Sequence, residues 1–177
     1  MDFNSTKGLI TFNNMNVTFA NSELIGDIEE QISRLSASDA RRRIFRTDLM
    51  MLGEGDIRTT SSSLPSKDMM IVSGVLNYAQ ALLHRLMTTR GYHPADRSFG
   101  VPWDSYLGQS YRNKSIVEAQ LSSDVAEEIG KDSRTASVIK VVCKFESPTV
   151  VSVVCDVAPV SVDDLVIQLS LSAGAQV

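Results

Sequence analysis

Residues that commonly build metal centres and acid–base sites are scarce in this sequence. Its 177 residues include two cysteines and two histidines, and the cysteines, Cys143 and Cys155, do not have C-x-x-C spacing. Without a cluster of such side chains, neither a metal site nor another cofactor is predicted. We interpret both cysteines as buried thiols on neighbouring strands in a reducing compartment, with a disulfide between them as the alternative.

Long apolar runs and a signal sequence are also missing. No apolar segment approaches the roughly 20 residues that cross a bilayer, and the opening MDFNSTKGLI lacks the basic and apolar regions of a signal peptide. We therefore expect a soluble protein made in a cytoplasm, with no membrane partner. A net charge of −4, from 17 basic and 21 acidic residues, argues against non-specific nucleic-acid binding.

Motifs for catalysis are absent as well. The chain has no glycine-rich phosphate loop and no G-x-S-x-G motif, so no small-molecule substrate is predicted. His93 lies in a loop with no recognisable nucleophile beside it. The acid pairs Glu127-Glu128 and Asp163-Asp164 could suit glycoside hydrolysis, but adjacent residues on a helix or strand point in different directions. We interpret these acids as solvated surface charge and predict no catalytic residue.

Two helical patterns occupy the middle of the chain. Apolar residues recur at i, i+3, i+4 and i+7 over residues 69–90, which predicts an amphipathic helix with one buried stripe. The second helix is predicted to begin at Ser115, because Ser115 and Glu118 fit a capping box. It is predicted to end at Gly130.

From Val138 the apolar period changes from 3.6 to 2, which is typical of strands buried on one face. Turn residues divide this region into three predicted strands, over residues 138–146, 149–157 and 165–171. The inward face of the first strand is predicted to hold Ile139, Val141, Cys143 and Phe145. The sequence therefore predicts an α+β fold in which two amphipathic helices pack on a three-stranded antiparallel meander.

The N-terminal part of the chain is predicted to be an extension, residues 1–67, in front of a domain over residues 68–177. Its opening favours a short hairpin around Asn13-Asn14, because asparagine tolerates the left-handed backbone of a tight turn. A helix is predicted to follow from Ser22. The remainder of the extension is predicted to be a long, mostly irregular connection.

A basic run lies at the start of this connection. It contains Arg41, Arg42 and Arg43 and precedes a segment rich in Gly, Ser, Thr and Pro. Long connections of this kind are usually functional or ordered by a partner. We interpret the arginines either as a solvated helix face or as a patch for an acidic protein surface, since guanidinium groups suit carboxylates.

The segment between the two predicted helices has an unusual composition. It contains two of the five prolines and the only tryptophan. Its apolar groups alternate with glycine and proline, which favours a fixed connector rather than a catalytic loop. We predict that Phe99, Trp103 and Tyr106 anchor this connector to the rest of the domain.

Residues 85–108, RLMTTRGYHPADRSFGVPWDSYLG, resemble the helix–connector segment of baseplate wedge proteins from contractile-tailed phages. The family pattern is a helix ending in Leu-x-Thr, a glycine, then Pro-x-x-Gly and a short apolar helix. The corresponding residues here are Leu86, Thr88, Gly91, Phe99, Gly100 and Leu107. The family includes the phage sheath initiator and the equivalent wedge component of type VI secretion systems, and its members often carry the historical label "lysozyme-like". The same order of elements extends over about residues 68–172.

The hallmark of that family is Glu-Pro-Arg between the second helix and the first meander strand. This chain has Asp132-Ser133-Arg134 there, so the acid and the arginine are kept in type and the proline is not. The resemblance implies that Asp132 and Arg134 contact other wedge subunits, with the arginine run as a further contact. The alternative is a local ion pair that closes the loop between helix and strand.

The resemblance also implies a structural, non-enzymatic virion component located in the tail baseplate. Its partners would be other wedge subunits and the tail sheath protein, with the tail tube as a further candidate. The last predicted strand has no charge and no proline, so its edge is expected to be free for strand pairing with the sheath. The predicted pairing residues are Leu165, Val166, Ile167, Gln168, Leu169, Ser170 and Leu171.

Two other functions stay open at this point. A small peptidoglycan hydrolase would cleave cell wall and would depend on one acidic residue. A soluble adaptor would form a stable complex with a single protein partner and would belong to no particle.

Overall fold

The change from helical to alternating hydrophobic spacing divides the structure into a helical layer and a sheet. The structure is a computed structural model, and it describes residues 10–20, 47–49, 71–160 and 165–175. The elements are, in chain order, β1 (Ile10–Ala20), β2 (Thr47–Leu49), β3 (Ile71–Ser73), α1 (Gly74–Met87), a 3-10 turn (Trp103–Ser105), α2 (Lys114–Gly130), β4 (Thr135–Ser147), β5 (Val150–Pro159) and β6 (Val166–Ala175). The predicted α+β class, with two helices on an antiparallel meander, is confirmed.

The meander consists of β4, β5 and β6, each antiparallel to the next. Its inner face is apolar, as the alternation predicts, because every second residue of β5 and β6 is buried against the helices. The buried side chains of these two strands are Val151, Val153, Cys155, Val157, Pro159, Ile167, Leu169, Leu171 and Ala173. Leu165, just before β6, is buried with them.

The first half of β4 departs from the predicted alternation. Its pairing with β5 shifts register between Val138 and Lys140, so Ile139 is the extra residue of a bulge. Ile139 is consequently 56% exposed, and its predicted inward position is wrong. Val138 packs against the core instead, and the expected pattern returns at Cys143 and Phe145, which are buried.

A fourth strand, β1, joins the sheet at β6, so the strand order is β1-β6-β5-β4. β1 is antiparallel to β6, from Ile10 opposite Ala175 to Ala20 opposite Val166, with a register irregularity between Asn13 and Asn16. The predicted hairpin around Asn13-Asn14 is therefore wrong, because the chain continues through these asparagines as one irregular strand. The predicted free edge of the last strand is also wrong for this chain, since β1 occupies it.

Both helices cover the inner face of the sheet. α1 begins five residues later than predicted, because Ile71–Ser73 pair with Thr47–Leu49 as a two-stranded sheet. α2 ends at Gly130 as predicted, but it begins at Lys114, and no side chain caps its first turn. The predicted capping box is therefore wrong. None of the helices that the structure describes is long and apolar enough to cross a membrane.

Glu118, the expected capping residue, bonds the outer edge of β4 instead. Its carboxylate accepts a hydrogen bond from the backbone N–H of Phe145 at 2.9 Å. Ser122 accepts one from the N–H of Cys143 at 3.1 Å, and Lys114 donates to the carbonyl oxygen of Phe145. Side chains of α2 thus take the place of a neighbouring strand along this part of β4.

The two cysteines lie on the inner face of the sheet as free, buried thiols, as predicted. Burial raises the pKa of Cys143 to about 11, and it also raises the pKa of Cys155 well above that of an exposed thiol. Neither side chain is therefore a thiolate near neutral pH.

Candidate functional site

Asp132 and Arg134 lie in the turn between α2 and β4. The guanidinium of Arg134 donates two hydrogen bonds to the carboxylate of Asp132, from Nε to Oδ1 at 2.8 Å and from a terminal nitrogen to Oδ2 at 2.6 Å. The backbone N–H of Arg134 also donates to Oδ1, at 3.0 Å. Such a two-point guanidinium–carboxylate contact is a strong, orienting interaction. It closes the turn and sets the direction in which the chain enters β4.

Backbone bonds hold this turn against the elements around it. The N–H of Thr135 donates to the carbonyl oxygen of Asp132 at 2.9 Å, and that of Val160 donates to the carbonyl oxygen of Arg134 at 2.8 Å. The guanidinium of Arg134 also lies 5.4 Å from the ring centre of Tyr78 on α1. Burial raises the pKa of Tyr78 to about 12, so this phenol stays neutral and bonds Thr135 at 2.7 Å.

Glu128 lies one helical turn before Asp132 and is completely buried. Its carboxylate accepts hydrogen bonds from Arg85 at 2.9 Å, from the backbone N–H of Gly100 at 3.0 Å and from Lys131 at 2.9 Å. The interpretation of Glu127-Glu128 as solvated charge is therefore wrong for Glu128, because three donors replace its water. It holds for Glu127, whose side chain is 63% exposed.

Five charged residues form what we call the charged corner: Arg85, Glu128, Lys131, Asp132 and Arg134. Arg85 joins its two halves, since it pairs with Glu128 and also lies 3.7 Å from Asp132. The two acids have exposures of 0% and 6%, whereas the three cations have side-chain exposures of 18% to 34%. The corner therefore presents positive charge outward and keeps its negative charge inside.

Electrostatics within the charged corner favour the ionised forms. Burial on its own would raise the pKa of Asp132, but hydrogen bonds and charge from Arg134, together with Arg85, lower it below the ordinary value. The same contact raises the pKa of Arg134, and the hydrogen bond that Lys131 donates to Glu128 raises the pKa of Lys131. Asp132, Lys131 and Arg134 are accordingly charged at neutral pH.

The connector residues named from the sequence all make specific contacts. Trp103 is fully buried, and its indole N–H donates to the carbonyl oxygen of Leu86 at 2.7 Å. The hydroxyl of Tyr106 donates to Asp124 on α2 at 2.7 Å. The ring of Phe99 lies 4.6 Å below the guanidinium of Arg85, so the connector supports the charged corner directly.

Gly100 is the connector residue whose backbone contacts Glu128. Its backbone has φ of +97°, and a Cβ placed there would lie 2.2 Å from the carbonyl oxygen of Thr88. Only glycine therefore allows the connector to approach the end of α1 this closely. Both polar backbone groups of Gly100 bond charged side chains, the N–H to Glu128 and the carbonyl oxygen to Arg90 at 3.0 Å.

Other predicted site residues are placed differently. Arg41, Arg42, Arg43, the helix from Ser22 and the acid pair Asp163-Asp164 lie outside the described residues. On the last strand, Leu165, Ile167, Leu169 and Leu171 are buried, whereas Val166, Gln168 and Ser170 are only partly buried on the opposite face. Within the part of the chain that the structure describes, no three His, Cys, Asp or Glu side chains are grouped as a metal site.

Arg85, Glu128 and Lys131 are the residues of this site that the sequence did not reveal. One signal was available, because Glu128 falls three and seven residues after Val125 and Leu121, which are buried on the inner face of α2. A carboxylate on an apolar stripe requires a buried cationic partner. Identifying Arg85 as that partner requires the packing of α1 on α2.

Comparison with known proteins relates the chain to one family. Residues 47–160 match the model of the contractile injection system sheath initiator, which is more than half of the chain. No curated protein matches the chain. Among solved structures, a Geobacter sulfurreducens protein provisionally named a tail lysozyme is similar with a TM-score of 0.50 and 14% identity, over 61% of this chain and 97% of that one. At this identity the similarity concerns the fold alone.

Proposed function

Because the chain belongs to the family of contractile injection system sheath initiators, we propose that it is a baseplate wedge component that joins wedge subunits to the first ring of the sheath. The family supports a structural role in a contractile tail. The charged corner is the observation that carries the wedge contact, and β6 carries the sheath contact. The proposed location is the tail baseplate.

The charged corner suits an acidic patch on a wedge subunit. Glu128 pairs with Arg85, and Asp132 pairs with Arg134. Both guanidinium groups are therefore oriented before binding and lose little rotational freedom on contact. Arginine is also enriched where protein interfaces concentrate their binding energy. The direct contact is proposed for Arg134, while Asp132 orients it. The run of Arg41, Arg42 and Arg43 is proposed to extend the same contact.

The sheath contact is proposed to use the edge of β6. Residues 165–171 alternate between buried and partly buried positions and carry no charge, so an extended strand from a sheath subunit could pair along this segment by backbone hydrogen bonds. In this chain the same edge is bonded to β1, so the sheath strand has to replace β1. The tail tube is proposed as a third neighbour.

We propose that this function needs no catalysis. Both acids of the charged corner are buried and bound to cations, whereas glycoside hydrolysis needs two carboxyl groups that reach a sugar from opposite sides. The name of the Geobacter protein motivates a hydrolase as the second candidate. Cleavage of purified peptidoglycan by the wild-type chain, lost on substitution of one acid, would support that candidate instead.

A reconstruction of purified particles by electron cryo-microscopy tests the proposal. The chain is expected between the wedge subunits and the first sheath ring, with the charged corner against a wedge subunit. Particles should form poorly with Arg134→Gln and normally with Arg112→Gln, a matched change at an exposed arginine just before α2. A chain that is absent from particles and purifies with one soluble partner would establish the adaptor instead.

A further inference from the structure

The outer edge of β4 and the edge of β6 are protected against further strand pairing by different means. At β4, side chains of α2 bond the backbone of Cys143 and Phe145, and a bulge at Ile139 interrupts the edge further along. Both devices discourage a foreign strand from pairing there. At β6, the protection is β1, a strand that another strand can replace without loss of backbone hydrogen bonds.

The described contacts of β1 are mainly those of its ladder with β6. The described side chain of the strand, Val17, is only partly buried against the core. Three asparagines, Asn13, Asn14 and Asn16, lie in its middle, and asparagine is depleted from strands. The register of the ladder breaks between Asn13 and Asn16, so the pairing consists of two shorter halves.

β6 is held in place independently of β1. Its other edge is bonded to β5 from Val157 opposite Ile167 to Val150 opposite Gly174. Its inward side chains, including Leu169, are buried within the main core. Removal of β1 would therefore expose a formed strand edge rather than unfold the strand. Such an edge is a template for the next extended chain that reaches it.

We infer that β1 is a displaceable cap, which covers the β6 edge in the free protein and leaves when an extended strand of the sheath protein pairs there. The inference rests on the proposed function. The cap prevents the edge from pairing with other copies before a baseplate has formed. It also makes sheath binding an exchange of one strand for another, so few backbone hydrogen bonds are lost overall.

A disulfide between β1 and β6 tests this directly. Thr18 lies opposite Gln168 in the ladder, and opposed residues in antiparallel strands are about 4.5–5.5 Å apart at Cα, which a disulfide can bridge. The full-length variant Thr18→Cys/Gln168→Cys is locked when oxidised and free when reduced. Its reduced form is the matched control, and the native cysteines are buried and unpaired.

The first measurement uses a fluorescent synthetic peptide, ITFNNMNVTFA, which is the sequence of β1. The peptide should replace β1 in the wild type and in the reduced variant, seen as a rise in anisotropy. Oxidation should slow this exchange by roughly 30-fold or more. If the peptide does not bind the wild type, or binds the oxidised variant equally fast, the cap is not displaceable and the inference is overturned.

The second measurement uses purified sheath protein of the same injection system. Sheath protein should bind the reduced variant readily and the oxidised variant slowly. Equal binding to both forms overturns the inference and leaves a sheath contact elsewhere. If the wild type binds no sheath protein, the proposed function is refuted. The peptide measurement then shows only whether β1 can be replaced by another strand. If the reduced variant forms a dimer and the oxidised variant does not, β1 is exchanged between two copies of the chain. That result would also overturn the inference.

Discussion

Removal of the Glu128 carboxylate is the sharpest test of the charged corner. In Glu128→Ala, the buried N–H of Gly100 loses its acceptor, which costs about 1–3 kcal/mol. The charge-assisted bond from Arg85 is lost as well, which costs about 1.5–3 kcal/mol. Arg85 remains 3.7 Å from Asp132, so part of its charge stays compensated. The expected loss is about 3–5 kcal/mol of unfolding free energy, as for other buried pairs that lose one partner.

The preceding residue supplies the control. Glu127 has the same side chain on the same helix and also bonds Lys131, at 3.3 Å, but it is 63% exposed. Glu127→Ala should cost less than about 1 kcal/mol, because water replaces the lost partner. Glu128→Gln should fall between the two, since its amide oxygen can still accept a bond from Gly100.

Urea unfolding followed by tryptophan fluorescence measures these differences. Trp103 is the only tryptophan of the chain, is fully buried and bonds the carbonyl oxygen of Leu86, next to Arg85. Its emission therefore reports on the part of the domain that contains the charged corner. If Glu128→Ala and Glu127→Ala unfold at the same urea concentration with equal slopes, the buried ion pairs do not stabilise the fold and the reasoning is refuted.

Three further predictions concern backbone, pH and thiols. Gly100→Ala should lower the unfolding free energy by about 3 kcal/mol or more, whereas Gly91→Ala, with a positive φ but open space, should cost about 1–2 kcal/mol; equal losses in thermal unfolding would contradict the close approach. Because folding lowers the pKa of Asp132, its ionised carboxylate stabilises the fold above the unfolded-state pKa of about 4, and this contribution is lost as the pH falls through the folded-state pKa. The difference in unfolding free energy between the wild type and Asp132→Asn should therefore shrink as the pH falls below about 4. A difference that is unchanged in acid would contradict this. Cys143 and Cys155 should resist a thiol reagent in the native state and react in urea; fast native labelling would contradict their burial.

The helices and the meander were predictable because each is a local pattern. The alternation of Val151, Val153 and Cys155 sets one face of β5 whatever its neighbours are, and the apolar stripe that contains Leu82 and Leu86 sets the inner face of α1. For the same reason Trp103 could be identified as an anchor of the connector. Patterns of this kind depend on spacing alone.

The remaining features depend on partners far away in the sequence. Ile139 is pushed outward because of how β4 pairs with β5, and no alternation within β4 shows this. Glu128 lies on the apolar stripe of α2, but its partner Arg85 lies on another helix and cannot be identified from the spacing within α2. The pairing of β1 with β6 joins opposite ends of the described chain. Each of these contacts is set by tertiary packing, which overrides local preference.

The hydrogen bonds between side chains of α2 and the backbone of β4 make the two edges of the sheet unequal. Because Glu118 and Ser122 occupy the N–H groups of Phe145 and Cys143 on β4, strand addition is favoured on the opposite side of the sheet, at β6, where β1 now pairs. This part of β4 therefore disfavours edge-to-edge pairing between copies of the chain. Under the proposed function, growth from such a unit would proceed in one direction and would require a different protein as its repeating member. The chain would then be the first unit of a polymer that it does not itself form.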